Sequence, residues 1–79
     1  MKVELFGVLR EVAGASDIAL SIELPASITQ VLAALVSQYP ALEPHLPQVA
    51  CAVGESMRSR HASLYPNETL VLLPPVSGG

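Results

Sequence analysis

Thr69-Leu70-Val71-Leu72-Leu73-Pro74-Pro75-Val76-Ser77-Gly78-Gly79 closes the chain, and the way it reads decides how the rest is arranged. The residues Thr69 to Leu73 form strands readily, and a near-continuous apolar run predicts a central strand. Such a strand is buried on both faces, or buried on one and covered by a partner on the other. Pro74 and Pro75 then hold the chain in an extended, polyproline-like course and prevent it folding back as a helix. Gly78 and Gly79 pack nothing and lose much conformational freedom when ordered, so stability alone does not account for them. The expected result is a slender tail over residues 74–79 that ends on a carboxylate with no side chain beside it. At roughly 3.3 Å per residue it reaches about 20 Å, enough to enter a cleft of another protein.

The residues before the tail predict the frame that carries it. Lys2 to Phe6 alternates polar and apolar and predicts a first strand, which Gly7 ends. Val8 to Ala13 has helical spacing and stops at Gly14, a natural C-terminal cap. In Asp17 to Leu24, Ile18, Leu20, Ile22 and Leu24 alternate with polar or small residues, a period of two that predicts a strand. Pro25 interrupts it. Ser27 and Gln30 form a capping-box pattern, and Ile28, Val31, Leu32, Leu35, Val36 and Tyr39 make one apolar stripe. A helix is therefore expected over Ile28–Gln38, stopped by Pro40 and laid across a sheet.

Ala41 to Pro47 reads as an irregular connector, Val49 to Val53 as a strand, and Gly54-Glu55 as a turn. Ser56 to Ser63 predicts a short edge strand and a polar loop carrying Arg58, Arg60 and His61. Leu64 to Glu68 predicts a turn in which Asn67 tolerates left-handed geometry. One helix on one face of a mostly antiparallel sheet is an α+β arrangement. The first two strands pair as a hairpin, and a helical crossover lets the last strand run parallel to the first. Periodicity reaches a small α+β roll with a protruding C-terminus and does not choose the strand order.

Composition narrows the function. A chain of 79 residues, 51% hydrophobic and 14% charged, makes a single domain with an apolar contact patch on its surface. The net charge is −3, and Lys2, Arg10, Arg58 and Arg60 are the cations, so no basic footprint for nucleic acid exists. Cys51 is the one cysteine, which fits a reducing compartment. With no signal-peptide run and no membrane-length apolar stretch, a cytoplasmic location is expected.

Side-chain chemistry is sparse. Cys51 lies in an apolar strand and reads as an inert buried thiol. His45 and His61 are not flanked by further ligands, so no metal site is expected. Arg58, Arg60 and His61 read as a solvated edge, with partner contact as the alternative. Glu11, Glu43, Glu55 and Glu68 show no acid/base spacing, and no nucleophile motif accompanies them. The main-chain carboxylate of Gly79 is the reactive group that remains.

The order of elements resembles the ubiquitin-like β-grasp sulfur carriers, above all the small subunits of molybdopterin synthase. Phe6-Gly7-Val8-Leu9-Arg10-Glu11, Gln38-Tyr39-Pro40 and Leu72-Leu73-Pro74-Pro75-Val76-Ser77-Gly78-Gly79 carry the likeness. Gly54 stands where that family usually has Asn, and Pro66-Asn67-Glu68 where it has a Gly-Asp-Glu-like turn. The resemblance implies a β-grasp fold with a mixed sheet of four to five strands. It implies that Gly79 is adenylated and then converted to a thiocarboxylate, with ATP consumed transiently by a ubiquitin-activating-like adenylyltransferase and no cofactor held permanently. A sulfur donor protein would supply the sulfur, and the large subunit of molybdopterin synthase would hold the catalytic side chains for transfer to a cyclic pterin precursor. Pro74, Pro75, Val76, Ser77 and Gly78 would thread the partner's active site, and Phe6, Leu72 and Leu73 would face the partner. A sulfur carrier for thiazole synthesis or another thiolation pathway, and a ubiquitin-like modifier or binding module, remain as alternatives.

Overall fold

A computed structural model describes residues 1–75. Lys2–Leu5 (β1) turns Val3 and Leu5 inward, and Val8–Ala13 (α1) follows at once. Gly14 caps α1 in the left-handed conformation with φ 74°, its amide donating to the Arg10 carbonyl, as the sequence suggests. Asp17–Ala19 (β2) then returns antiparallel to β1. This strand is shorter than the alternation of Asp17 to Leu24 implies. β1 begins at Lys2, so the last ladder contacts are made by Met1 and Leu20, and residues beyond Leu20 have no partner strand. The alternation still governs packing, because Ile18 and Leu20 are buried and Ile22 and Leu24 pack against the core.

Ala26–Ser27 (β3) leads into Ile28–Gln38 (α2), whose bounds match the expectation. Both halves of the capping box form: the Gln30 amide donates to Ser27 Oγ at 3.1 Å, and the Ser27 amide to Gln30 Oε1 at 2.9 Å. Ile28, Val31, Leu32 and Leu35 are buried, while Val36 and Tyr39 flank the core. The expected irregular connector is instead a 3-10 helix over Pro40–Gln48. Proline fixes a φ that suits a helical turn, and the run buries Leu42 and Leu46, so burial organises what the prolines permit.

Ala50–Val53 (β4) and Ser56–Arg58 (β5) form a hairpin through Gly54, with φ 60°. Ser63–Leu64 (β6) pairs with β3 in a small two-stranded sheet, so Leu64 is a fully buried strand residue rather than the start of a turn. Asn67 takes the left-handed φ of 74°, and Thr69–Leu73 (β7) completes the main sheet. The order in that sheet is β2-β1-β7-β4-β5. β7 is central and parallel to β1, and α2 with the 3-10 helix helps bury the sheet's inner side chains. This is the ubiquitin-like β-grasp fold.

Candidate functional site

The site is the end of β7 together with the uncovered face of the main sheet. Within β7, Leu70 and Leu72 are buried, and Thr69, Val71 and Leu73 are half-buried on the other face. The ladder extends that outer face sideways. Glu4 lies opposite Asp17 on one side and Val71 on the other, Val71 opposite Ala52, and Ala52 opposite Met57. Leu73 lies opposite Ala50. Met57 is 62% exposed and Phe6, just beyond β1, is 44% exposed, both high for large apolar side chains. Across β7, β4 and β5 the face is therefore apolar.

Its other end is charged. Lys2 Nζ lies 3.6 Å from Glu4 Oε1 and 3.8 Å from Asp17 Oδ1, at the start of β1. Because β1 and β7 run parallel, the ion pairs gather where β7 begins and the apolar surface where the tail leaves. Exposed pairs of this kind contribute little stability, so they act mainly as a polar border.

Leu72 is not a surface residue. It is fully buried and lies opposite Cys51 and Leu5, with its side chain in the core. Neighbouring strand residues point to opposite faces, so Leu72 and Leu73 cannot both face a partner. Leu73 and Phe6 keep an outward position, and Val71 and Met57, which no sequence motif marks, join them. Strand parity, counted from the buried Leu70, carries that signal.

Pro74 is half-buried and Pro75 exposed; Val76, Ser77, Gly78 and Gly79 lie outside the described residues. Gly7 is beside the base of the tail. It has φ 59° and ψ −134°, and a Cβ placed on it would stand 2.9 Å from Pro74 Cγ. The Gly7 carbonyl accepts from the Arg10 amide at 3.1 Å, and the Phe6 carbonyl from the Leu9 amide at 3.2 Å, which ties this turn to α1.

The basic segment divides. Arg60 Nη2 donates to the carbonyls of Leu46 at 2.6 Å and Val49 at 3.1 Å, holding the end of the 3-10 helix. Arg60 is thus a structural clamp rather than a solvated edge residue. Arg58 reaches Glu68 at 3.9 Å, and His61 is exposed. Cys51 is buried, and that burial raises its thiol pKa, opposed by the nearby Arg60 charge. Among the described residues, no three His, Cys, Asp or Glu side chains are placed to hold a metal ion. No helix among them is long and apolar enough to cross a membrane. A groove lined by Thr29, Leu32, Val36, Leu46, Pro47 and Arg60 lies in the helical layer, away from the outer sheet face.

Residues 3–79 match the ThiS family. The chain belongs to the ThiS family. It is 32% identical over 79 residues to a molybdopterin synthase sulfur carrier subunit of Arabidopsis thaliana, covering 100% of this chain and 82% of the relative. The crystal structure of SAMP1 from Haloferax volcanii superposes with a TM-score of 0.89 at 29% identity, covering 100% of this chain and 98% of that one. Subunits 1 and 2 of the molybdopterin-converting factor from Helicobacter pylori form a complex that contains a similar fold. There the TM-score is 0.64 at 23% identity, with 99% of this chain and 96% of that one covered. The family assignment spans core, outer face and tail alike, so the tail is not an appendage added to an unrelated domain.

Proposed function

We propose that this ThiS-family protein is a sulfur carrier that delivers sulfur from the carboxyl end of Gly79, and that it serves molybdopterin synthesis as the small subunit of a two-subunit synthase. The observation that carries the reading is the course of β7. The central strand runs out of an apolar, uncovered sheet face directly into Pro74 and Pro75, and the sequence then continues Val76-Ser77-Gly78-Gly79. The relationship to the Arabidopsis subunit favours molybdopterin over other thiolation pathways.

The chemistry follows from the weakness of a carboxylate as an electrophile. Its oxygen attacks the α-phosphorus of ATP on an adenylyltransferase, pyrophosphate leaves, and Gly79 becomes an acyl adenylate. Hydrosulfide supplied by a donor protein then adds to the carbonyl and displaces AMP, leaving a thiocarboxylate and a proton. In the synthase this sulfur attacks a carbon of a cyclic pterin precursor and displaces an oxygen substituent from it, and water then cleaves the acyl–sulfur bond to return the carboxylate. Glycine suits the last two positions because the absence of a Cβ leaves the carbonyl open to attack and lets the tail pass a narrow tunnel. Pro74 and Pro75 reduce the freedom that the tail loses on entering. Phe6, Val71, Leu73 and Met57 form the docking face for the large subunit, whose side chains perform the catalysis.

Co-expression with an ATP-dependent adenylyltransferase and a sulfur donor should yield a species heavier by the difference between sulfur and oxygen, localised to Gly79 by intact and fragment mass spectrometry. Persistent absence of that species under these conditions would refute sulfur carriage. The similarity to SAMP1 favours one other reading, a ubiquitin-like modifier. Lysine conjugates through Gly79, without thiocarboxylate, would establish that instead.

A further inference from the structure

We infer that Gly7 is a positioning residue for the tail, acting through the ring of Pro74 to set the direction in which the reactive carboxylate leaves the domain. The inference rests on the sulfur-carrier reading and adds to it a residue outside the tail. Two independent features place glycine at this position. Its φ of 59° with ψ of −134° is a backbone region that side-chain-bearing residues rarely enter. Separately, the Pro74 ring occupies the space a side chain would need, with Cγ only 2.9 Å from an ideal Cβ.

The contact links two elements distant in sequence. Gly7 belongs to the turn between β1 and α1, and its carbonyl accepts the Arg10 amide of the first helical turn. Pro74 is the first residue past β7 and cannot donate a ladder hydrogen bond, because it has no amide hydrogen. Strand pairing therefore directs the chain only as far as Leu73. Beyond that point the seat of the ring on Gly7 is the next constraint, and the fixed φ of proline transmits it to Pro75. A small rotation there is magnified along the tail, and misplacing a reacting group by about 1 Å can cost up to about a hundredfold in rate.

The test is a cycle of Gly7→Ala, Pro74→Ala and the double variant, in the full-length protein. In the free protein, a nuclear Overhauser effect between the Gly7 α-protons and the Pro74 ring protons reports the contact without any assumption about function; its absence overturns the inference. Adenylation of Gly79 is then followed by ATP–pyrophosphate exchange with the adenylyltransferase used above. Gly7→Ala should lower the exchange rate by about tenfold or more. In the Pro74→Ala background the same change should alter the rate by less than about twofold, because the ring through which it acts is gone.

Thermal stability supplies the contrast. The backbone strain of Gly7→Ala lowers the melting temperature in both backgrounds, whereas its effect on exchange depends on the ring. An equal loss of exchange in both backgrounds would reduce Gly7 to a fold requirement and refute positioning. Should Gly7→Ala fail to fold, Pro74→Ala alone should slow exchange by about threefold or more, and an unchanged rate overturns the inference. A wild-type protein that shows the contact but supports no exchange refutes the sulfur-carrier reading itself.

Discussion

Arg60 holds two main-chain carbonyls with one nitrogen, those of Leu46 and Val49, where the 3-10 helix gives way to β4. Removing the guanidinium leaves both acceptors short of a charged donor, and hydrogen bonds of that type contribute about 1.5–3 kcal/mol each. Arg60→Ala should therefore lower unfolding free energy by roughly 3 kcal/mol or more in chemical denaturation, and Arg60→Lys should recover only part of it. Cys51 gives a pH dependence of definite sign. Burial raises its folded pKa above the ordinary 9.0. Below that value both folded and unfolded thiols keep their protons and stability is undiminished. Above it the unfolded chain loses its proton first, so stability declines until the higher folded pKa is passed. The slope reaches at most about 1.4 kcal/mol per pH unit. Denaturation followed from pH 7 into the alkaline range should show this decline, and Cys51→Ala, though less stable at neutral pH, should lack that component.

Among the elements, β7 gives the clearest contrast between fold and site. Leu72→Asp would bury a charge in the core and should abolish cooperative folding, a loss beyond the ~4–5 kcal/mol that marks severe substitutions. Leu73→Asp, one residue on and facing outward, should leave circular dichroism and melting temperature nearly unchanged while weakening large-subunit binding in titration calorimetry. How far such elements can be read from sequence depends on their length and on what marks them. α2 announces itself through the Ser27–Gln30 box, its apolar stripe and Pro40. β3 and β6, two residues each, are too short to show any period and exist because each supplies the other's partner. The 3-10 helix was hidden by its prolines, although Leu42 and Leu46 carry helical spacing. β2 is shorter than its alternation suggests, since alternation records which side is buried and not whether a partner strand is present. At the site, the exit of β7 into Pro74 and Pro75 was legible. The parity that separates Leu72 from Leu73 is written in the strand itself, whereas the role proposed for Gly7 depends on a contact across 67 positions that no local pattern encodes.

At the scale of the whole molecule, the two faces of the sheet divide the work. One is committed to packing with the helical layer, and the other keeps apolar residues uncovered beside Pro74, so that under the proposed function docking and delivery share one end of the domain. The length of the tail then becomes the quantity that matches docking to chemistry. One residue appended after Gly79 should abolish thiocarboxylate formation while leaving melting temperature and large-subunit affinity close to wild type, as checked by mass spectrometry, calorimetry and binding titration. The pairing of β1 with β7 has a mechanical consequence. The strands are parallel, with Lys2 opposite Thr69 and Leu5 opposite Leu72. A pull applied between the first residues of β1 and the end of β7 draws the two strands past each other along their length. Force is then shared by the whole ladder at once instead of opening it one bond at a time. In force spectroscopy, extension through these two ends should meet greater resistance than extension between Cys51 and Arg58, which unzips the β4–β5 hairpin pair by pair from its open end. Under the proposed function, a partner that holds the first residues of β1 while drawing on the end of β7 would load this ladder along its length rather than peel it.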